Sequence, residues 1–325
     1  MKKHFKKLLL MALMAVMAVG LIACGTDKSD NESIKEEKTS VTITSFDASK
    51  NEIELEVPYN PKRIAILDLA CLDIIDELGV GDRVVGMAST SIDYLEKYSN
   101  DASIKNLGTI KEADLEAVME CEPDIIFIGG RLSKSYDALS EIAPVVYLAT
   151  DTNEGLVNSV SKNAKTIASI FGMEDKVDSL MSDFGARIDT IKKISSGKTA
   201  LVGMTTSGSF NLLGNDGRCS LIGVEAGFNN LTAAGSTSTH GNESSFETVV
   251  QQNPDYIFVM DRDSAISTAG AKTAKEIVEN ELVKTTDAYK NNHIIYLEHS
   301  NVWYTAEGGI QALDIMLTDL EKGLK

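Results

Sequence analysis

The spacing of hydrophobic and polar positions changes several times along the chain, and each change marks an element. Residues 8–23 carry no charge, whereas residues 25–40, GTDKSDNESIKEEKTS, are polar with no apolar period. Short alternating runs at 41–44 and 53–57 predict two strands. Buried-strand runs and amphipathic segments then take turns: strands over 64–67, 83–87 and 124–128, helices over 69–78 and 114–121. The stretch 154–196 has no proline, and apolar residues recur at helical spacing (Leu156, Val160, Ala164, Ile167, Ile170, then Val177, Leu180, Phe184, Ile188, Ile191). It predicts one long helix whose weak points are Gly172 and Gly185, with a kink near Gly172. Alternation resumes with a strand over 200–204, continues with one over 294–297, and ends in a helix near 306–324. The pattern predicts an α/β fold. Two similar α/β lobes with mostly parallel sheets (41–153 and 197–325) are joined by one long α-helix (154–196), with a ligand cleft between them.

The two ends of the first apolar run add a location. Lys2, Lys3, Lys6 and Lys7 precede it, and it closes on Leu21-Ile22-Ala23-Cys24-Gly25. The run matches a signal h-region in length and is short for a spanning helix of about 20 residues. The junction resembles a bacterial lipobox. That resemblance implies a signal peptide over 1–23, lipidation of Cys24, a flexible tether over 24–40, and a protein held on the outer face of the cell membrane. An uncleaved transmembrane anchor is the other reading, and it leaves the body in the same compartment.

Charge narrows the ligands. Residues 1–23 hold four lysines and no acid, so removing them takes the formal charge from −17 to −21. So acidic a body argues against nucleic acid and against a basic membrane-binding face, and an anionic ligand needs a local basic pocket. Cys71, Cys121 and Cys219 are widely spaced, form no CxxC, and read as small buried residues. No GxSxG, HExxH, GxGxxG or P-loop is present, so no enzyme is predicted. Only His240, His293 and His299 remain in the mature chain, without zinc-site spacing.

An internal repeat carries the most information. Residues 114–131 read DLEAVMECEPDIIFIGGR and residues 245–262 read SFETVVQQNPDYIFVMDR. Seven of 18 positions match without gaps: Glu116/Glu247, Val118/Val249, Pro123/Pro254, Asp124/Asp255, Ile126/Ile257, Phe127/Phe258 and Arg131/Arg262. Each copy reads as a short helix, a Pro-Asp turn and a buried strand that delivers an arginine just past its C-terminal end. That end of a parallel sheet is where ligands bind.

With a lipobox, a tether, two α/β lobes, a connecting helix and paired PD-x-IF motifs, the chain resembles the class III (helical-backbone) substrate-binding proteins of ABC importers. That family captures ferric siderophores, haem and cobalamin. Thr239-His240-Gly241, residues 253–262 and Val302-Trp303-Tyr304 resemble the binders of ferric catecholates, the enterobactin and petrobactin type, whose YWY-like segment here begins with Val302. The resemblance implies a ferric siderophore as cargo, with Fe(III) arriving in the complex and no intrinsic cofactor. The partners it implies are a permease and its ATPase, for a protein working as a monomer. Arg131, Arg218, Arg262 and Trp303 would contact the ligand, and His240 and Tyr304 would complete the iron shell of a tetradentate siderophore. Glu116 and Glu247 would dock onto permease arginines. Haem or cobalamin on the same fold, or a Mn/Zn-binding importer component, are the alternatives.

The residue types suit those roles. Guanidinium offers a planar fork of donors and a face for stacking on anionic, oxygen-rich catecholates. Fe(III) is a hard cation served by phenolate oxygen, with imidazole an acceptable nitrogen donor. A plainer reading stands beside each: Arg262 pairing with Asp261 or Asp263, Arg218 with Asp216, His240 merely exposed in a polar loop, Tyr304 as a wall residue. Glu116 and Glu247 equally suit the positive end of a helix.

Overall fold

The computed structural model describes residues 38–234 and 237–325; Cys24, the leader and most of the tether lie outside the described residues. Strands Ser40–Phe46 and Glu52–Pro58 form an antiparallel hairpin around the turn at 47–51. A five-stranded sheet follows, all parallel: Lys105–Asn106, Val84–Met87, Ile64–Ile66, Ile125–Ile128 and Val145–Tyr147 in spatial order. Ile125–Ile128 is buried along its whole length, as a parallel strand covered on both faces must be. The second sheet centres on Thr199–Thr206 and Tyr256–Asp261, which pair in parallel, and is parallel also towards Asn229–Asn230 and Ile294–Tyr296. Its other edge, Ser209–Leu212 and Asn242–Glu243, is antiparallel. Among the described residues no helix is long and apolar enough to cross a membrane.

The repeat proves to be the same device built twice. Asp114 and Ser245 cap helices Leu115–Glu120 and Phe246–Gln252 through the backbone N–H groups of Ala117 and Thr248. The Asp of each Pro-Asp then holds the start of the neighbouring strand. Asp124 Oδ2 accepts from the Lys62 and Arg63 N–H groups at 2.7 and 2.9 Å. Asp255 Oδ2 accepts from the Thr199 N–H and hydroxyl at 2.8 and 2.9 Å. In both sheets the repeat strand is thereby registered against its central partner, and Arg131 and Arg262 emerge beyond the C-terminal ends.

Two predicted helices are corrected. The connector is three helices, Leu156–Phe171, Glu174–Leu180 and Phe184–Ser195, in place of one long helix. Gly172 ends the first in the left-handed region (φ 66°), a cap glycine adopts at little cost, and the Tyr59 hydroxyl occupies the space a Cβ would need. The terminal helix starts at Ile310, and a separate short helix, Ser300–Thr305, precedes it. Glu307, Gly308 and Gly309 lie in the break. Cys71, Cys121 and Cys219 are free and buried.

One large hydrophobic core runs through both lobes and the connector, from Ile64, Leu72 and Ile125 through Val160 and Ile188 to Val202, Phe258 and Leu317. The outer face of each sheet has its own smaller cluster. The last helix is tied across the molecule. Asp73, wholly buried, accepts from the Gln311 and Ala312 N–H groups at 3.0 and 2.9 Å and from the Tyr94 hydroxyl at 2.6 Å. Arg187 of the connector holds the far side of the same helix through Glu321 Oε1 at 2.7 Å and Asp314 Oδ1 at 2.5 Å.

Candidate functional site

The C-terminal ends of the central strands open onto a cavity of about 510 Å³ whose wall includes Asp68, Arg131, Thr150, Arg218, Tyr304 and Glu307. Residues from both lobes contribute, as expected of a cleft at this edge of parallel sheets. Tyr304 is its hub. The Tyr304 backbone carbonyl accepts from Arg131 Nη2 at 2.8 Å and from Arg218 Nε at 3.4 Å. Arg262 Nε donates to the Tyr304 hydroxyl at 3.2 Å. The three guanidinium carbons stand over the ring, 5.6, 4.5 and 5.6 Å from its centroid for Arg131, Arg218 and Arg262, so one aromatic side chain steadies three like charges.

Each arginine has further support. Arg218 Nη1 donates to the Thr239 carbonyl at 2.7 Å, which ties it to the loop bearing His240. Arg262 Nη1 reaches Thr206 Oγ1 at 3.2 Å and Asp263 Oδ1 at 3.3 Å, so its pairing with Asp263 and its contact with Tyr304 coexist. Asp216 takes the Thr237 N–H at 2.8 Å. His240 is exposed, and its Nε2 lies 3.4 Å from the Tyr304 hydroxyl. Arg262 and His240 meet Tyr304 at that hydroxyl and are not part of the cavity wall itself.

The electrostatics favour donors in their ligand-ready forms. Partial desolvation lowers the His240 pKa, and the charges of Arg262, Arg218 and Lys111 lower it further, which favours the neutral imidazole. Burial alone would raise the Tyr304 phenol, but the Arg262 hydrogen bond and the charges of Arg218, Arg262 and Lys111 outweigh it, and its pKa falls below the usual phenol value. Burial and the nearby Arg218 lower the Arg131 pKa, though a guanidinium stays charged. A phenol that ionises more readily, beside a neutral imidazole and three cations, can hold an anionic complex of a hard metal ion.

The sequence comparisons fit this architecture. Residues 64–300 match the model of the family described as periplasmic binding protein. The chain belongs to the periplasmic binding protein family. Its similarity to the petrobactin-binding protein YclQ of Bacillus subtilis is 36% identity, over 98% of this chain and 99% of that protein. The crystal structure of YclQ superposes with a TM-score of 0.81 at 35% identity, covering 88% of this chain and 99% of the other. The catecholate-siderophore binding protein VctP of Vibrio cholerae gives a TM-score of 0.78 at 30% identity, covering 87% and 100%. Ferric-anguibactin-binding protein FatB of Vibrio anguillarum is 26% identical over 96% of both chains.

Of the residues singled out in this periplasmic binding protein, Arg131, Arg218, Arg262, His240 and Tyr304 come together. Trp303 does not. It is fully buried in the core, and its indole N–H donates to Asp319 Oδ2 at 2.9 Å, so its expected contact with ligand is corrected. Successive helical residues point about 100° apart, which sends Trp303 inward while Tyr304 faces the arginines. Glu116 and Glu247 are exposed in the first turns of their short helices, outside the cavity wall.

Three acids of the cavity wall, Asp68, Asp151 and Glu307, went unnoticed in the sequence. Asp68 follows a buried strand and caps helix Leu69–Glu77, its Oδ1 accepting from the Cys71 N–H at 3.0 Å. The strand-end rule that exposed Arg131 would have found it. Glu307 was hidden inside the helix predicted over 306–324, and the Gly308-Gly309 pair after it was the signal. Glu298, His299 and Asp319 lie close enough to hold a cation. Asp319 is instead occupied by the His299 ring and backbone at 2.8 and 3.0 Å and by Trp303, and Glu298 by Lys322 at 2.9 Å.

Proposed function

We propose that the protein captures a ferric siderophore of catecholate type outside the cytoplasm and delivers it to an ABC permease and its ATPase. The observation that carries this reading is the cluster of Arg131, Arg218 and Arg262 on one tyrosine, with His240 Nε2 3.4 Å from its hydroxyl. Three guanidinium groups in an otherwise strongly acidic protein form a local anion trap, and ferric catecholates are anionic. The named ligands of YclQ, VctP and FatB, all iron chelators, support the same class. In this reading Fe(III) is cargo, with no intrinsic cofactor and no chemical step. A lipid on Cys24 would hold the protein at the outer face of the membrane, and Glu116 and Glu247 would meet the permease.

A tetradentate bis-catecholate leaves two of six iron positions open, and His240 and Tyr304 are the donors that would fill them. The test is a titration of the purified protein with preformed ferric bis-catecholate and ferric tris-catecholate, read by quenching of Trp303 fluorescence and by the visible charge-transfer band. Wild type should bind both. Tyr304→Phe and His240→Ala should weaken the tetradentate complex by tenfold or more and alter its band, with the hexadentate complex little changed. Binding of neither complex would overturn the proposed cargo, and an unaltered band in the double variant would remove direct coordination.

A further inference from the structure

Four carboxyl groups of the cavity wall, those of Asp68, Asp151, Asp216 and Glu307, have the wrong sign for an anion trap. Glu307 is half-buried there, on the segment between helices Ser300–Thr305 and Ile310–Gly323, in the same wall as Arg131 and Arg218. Arg218 follows a turn in the same wall, and both guanidinium groups act on this carboxyl by charge. The two glycines after it complete the placement. A Cβ on Gly308 would press on Ala70 and Thr150, and one on Gly309 would collide with Asp73. The segment is therefore seated against the first lobe, with its acid directed into the cleft wall. Asp68 has a structural duty as a helix cap, Asp151 accepts from the Asn153 N–H at 2.8 Å in its own turn, and Asp216 accepts from the Thr237 N–H at 2.8 Å. Glu307 belongs to no helix and caps none.

Resting on the reading of this cleft as a site for anionic ferric chelates, we infer that Glu307 is a specificity-determining residue. It withdraws one positive charge from the cleft beside Arg131 and Arg218, and so favours complexes of low net negative charge over highly charged ones. Repulsion by a fixed carboxylate scales with ligand charge, so a trianionic complex meets three times the penalty of a monoanionic one. At an effective dielectric constant of about 20 and a separation of several ångströms, one such interaction changes an equilibrium by roughly tenfold or more. The groups that act on Glu307 by charge are Arg218, Arg131 and Glu225, and burial pushes its carboxyl up to about 7, with the two arginines opposing the rise. Its charge thus changes close to neutrality.

The experiment compares wild type with Glu307→Gln, which keeps the shape and removes the charge. The probes are preformed ferric tris-catecholate, a trianion, and ferric bis-catecholate, a monoanion. The expected result at pH 8, where the carboxyl is ionised, is a shift in the ratio of their Kd values of about a hundredfold towards the trianion in the variant, two unit interactions of about tenfold each. Glu307→Ala should shift the ratio the same way, and a thermal melt confirms that both variants are folded. Between pH 8 and pH 6 wild type should gain affinity for the trianion as the carboxyl is protonated, and the Gln variant should gain less. An unchanged ratio, or weaker binding of the trianion, overturns the inference and makes Glu307 a support for the arginines. Binding of neither chelate by wild type overturns it together with the functional reading, whereas chelate binding with an unchanged ratio overturns it alone.

Discussion

Replacing Asp73 by alanine strips the acceptor from three donors at once. The Tyr94 hydroxyl and the Gln311 and Ala312 N–H groups, at 2.6, 3.0 and 2.9 Å, all end on one carboxylate that has no exposed surface. Each buried donor left unpaired costs about 1–3 kcal/mol, and a small cavity adds to it, so a loss of roughly 3–5 kcal/mol is expected. Asp73→Asn keeps one acceptor oxygen and should cost about 1–3 kcal/mol. The pH dependence separates charge from shape. Burial raises the Asp73 pKa to about 6, with Tyr94 and the backbone donors opposing the rise, so the folded protein holds this proton more tightly than the unfolded chain does. The stability contributed by that proton is complete below the unfolded carboxylate value near 3.8 and is lost as pH rises through about 6. The loss amounts to about 3 kcal/mol for a shift of this size. Urea unfolding of wild type and Asp73→Asn at pH 4.5, 6.0 and 7.5 reads the difference between the two proteins, which cancels every other titrating group. The wild-type advantage should shrink as pH rises. An advantage that is constant, or that grows with pH, refutes the reasoning.

Arg131→Ala and Arg262→Ala should each weaken ferric catecholate binding ten- to a hundredfold, because a charge-assisted contact contributes about 1.5–3 kcal/mol; equal loss for a neutral ferric hydroxamate would show that they shape the cleft without reading charge. Charge reversal at both Glu116 and Glu247 should abolish iron-siderophore uptake by cells while leaving the Kd of the purified protein within about twofold; a collapse in affinity would assign them to the fold or the cleft. Asp124→Ala and Asp255→Ala should destabilise the protein by similar amounts, about 1–3 kcal/mol in urea unfolding, since each removes a carboxylate that takes two donors at the start of a central strand.

What the sequence made legible followed from local pattern. Strands such as Ile125–Ile128 are uninterrupted apolar runs between turn residues, and the repeat fixed two equivalent strand ends with their arginines. The illegible parts depend on distant partners or on side-chain direction. The apolar period continues through 177–191, so nothing in it marks the break between Leu180 and Phe184. Asp73 reads as an ordinary polar position on a helix, and only its partners more than 230 residues away make it a buried cap. Trp303 and Tyr304 are adjacent aromatics, and no pattern within a six-residue helix tells which one enters the core. Asp319, whose carboxylate takes the Trp303 indole, settles the matter from the next helix.

The three arginines use three different parts of Tyr304, and this makes their contribution separable from that of the phenol. Arg131 and Arg218 hold the backbone carbonyl, which no substitution at this position removes. All three lie over a ring that phenylalanine would retain, and only Arg262 depends on the hydroxyl, with Thr206 and Asp263 as further anchors. Tyr304→Phe should therefore leave the cluster of arginines standing while it deletes the oxygen proposed as a donor to iron. The backbone that carries the carbonyl is itself fixed, because the segment after Tyr304 runs through Gly308-Gly309 into the helix that Asp73 and Arg187 tie down. Like charges crowded into one wall repel, and in a mobile loop they would separate. Here the cost of bringing them together is met by the folding free energy of a core that runs continuously through both lobes. For the anionic cargo proposed above, the arginines are thus held in place before it arrives, and the ordering cost that weakens binding at flexible sites is met on folding.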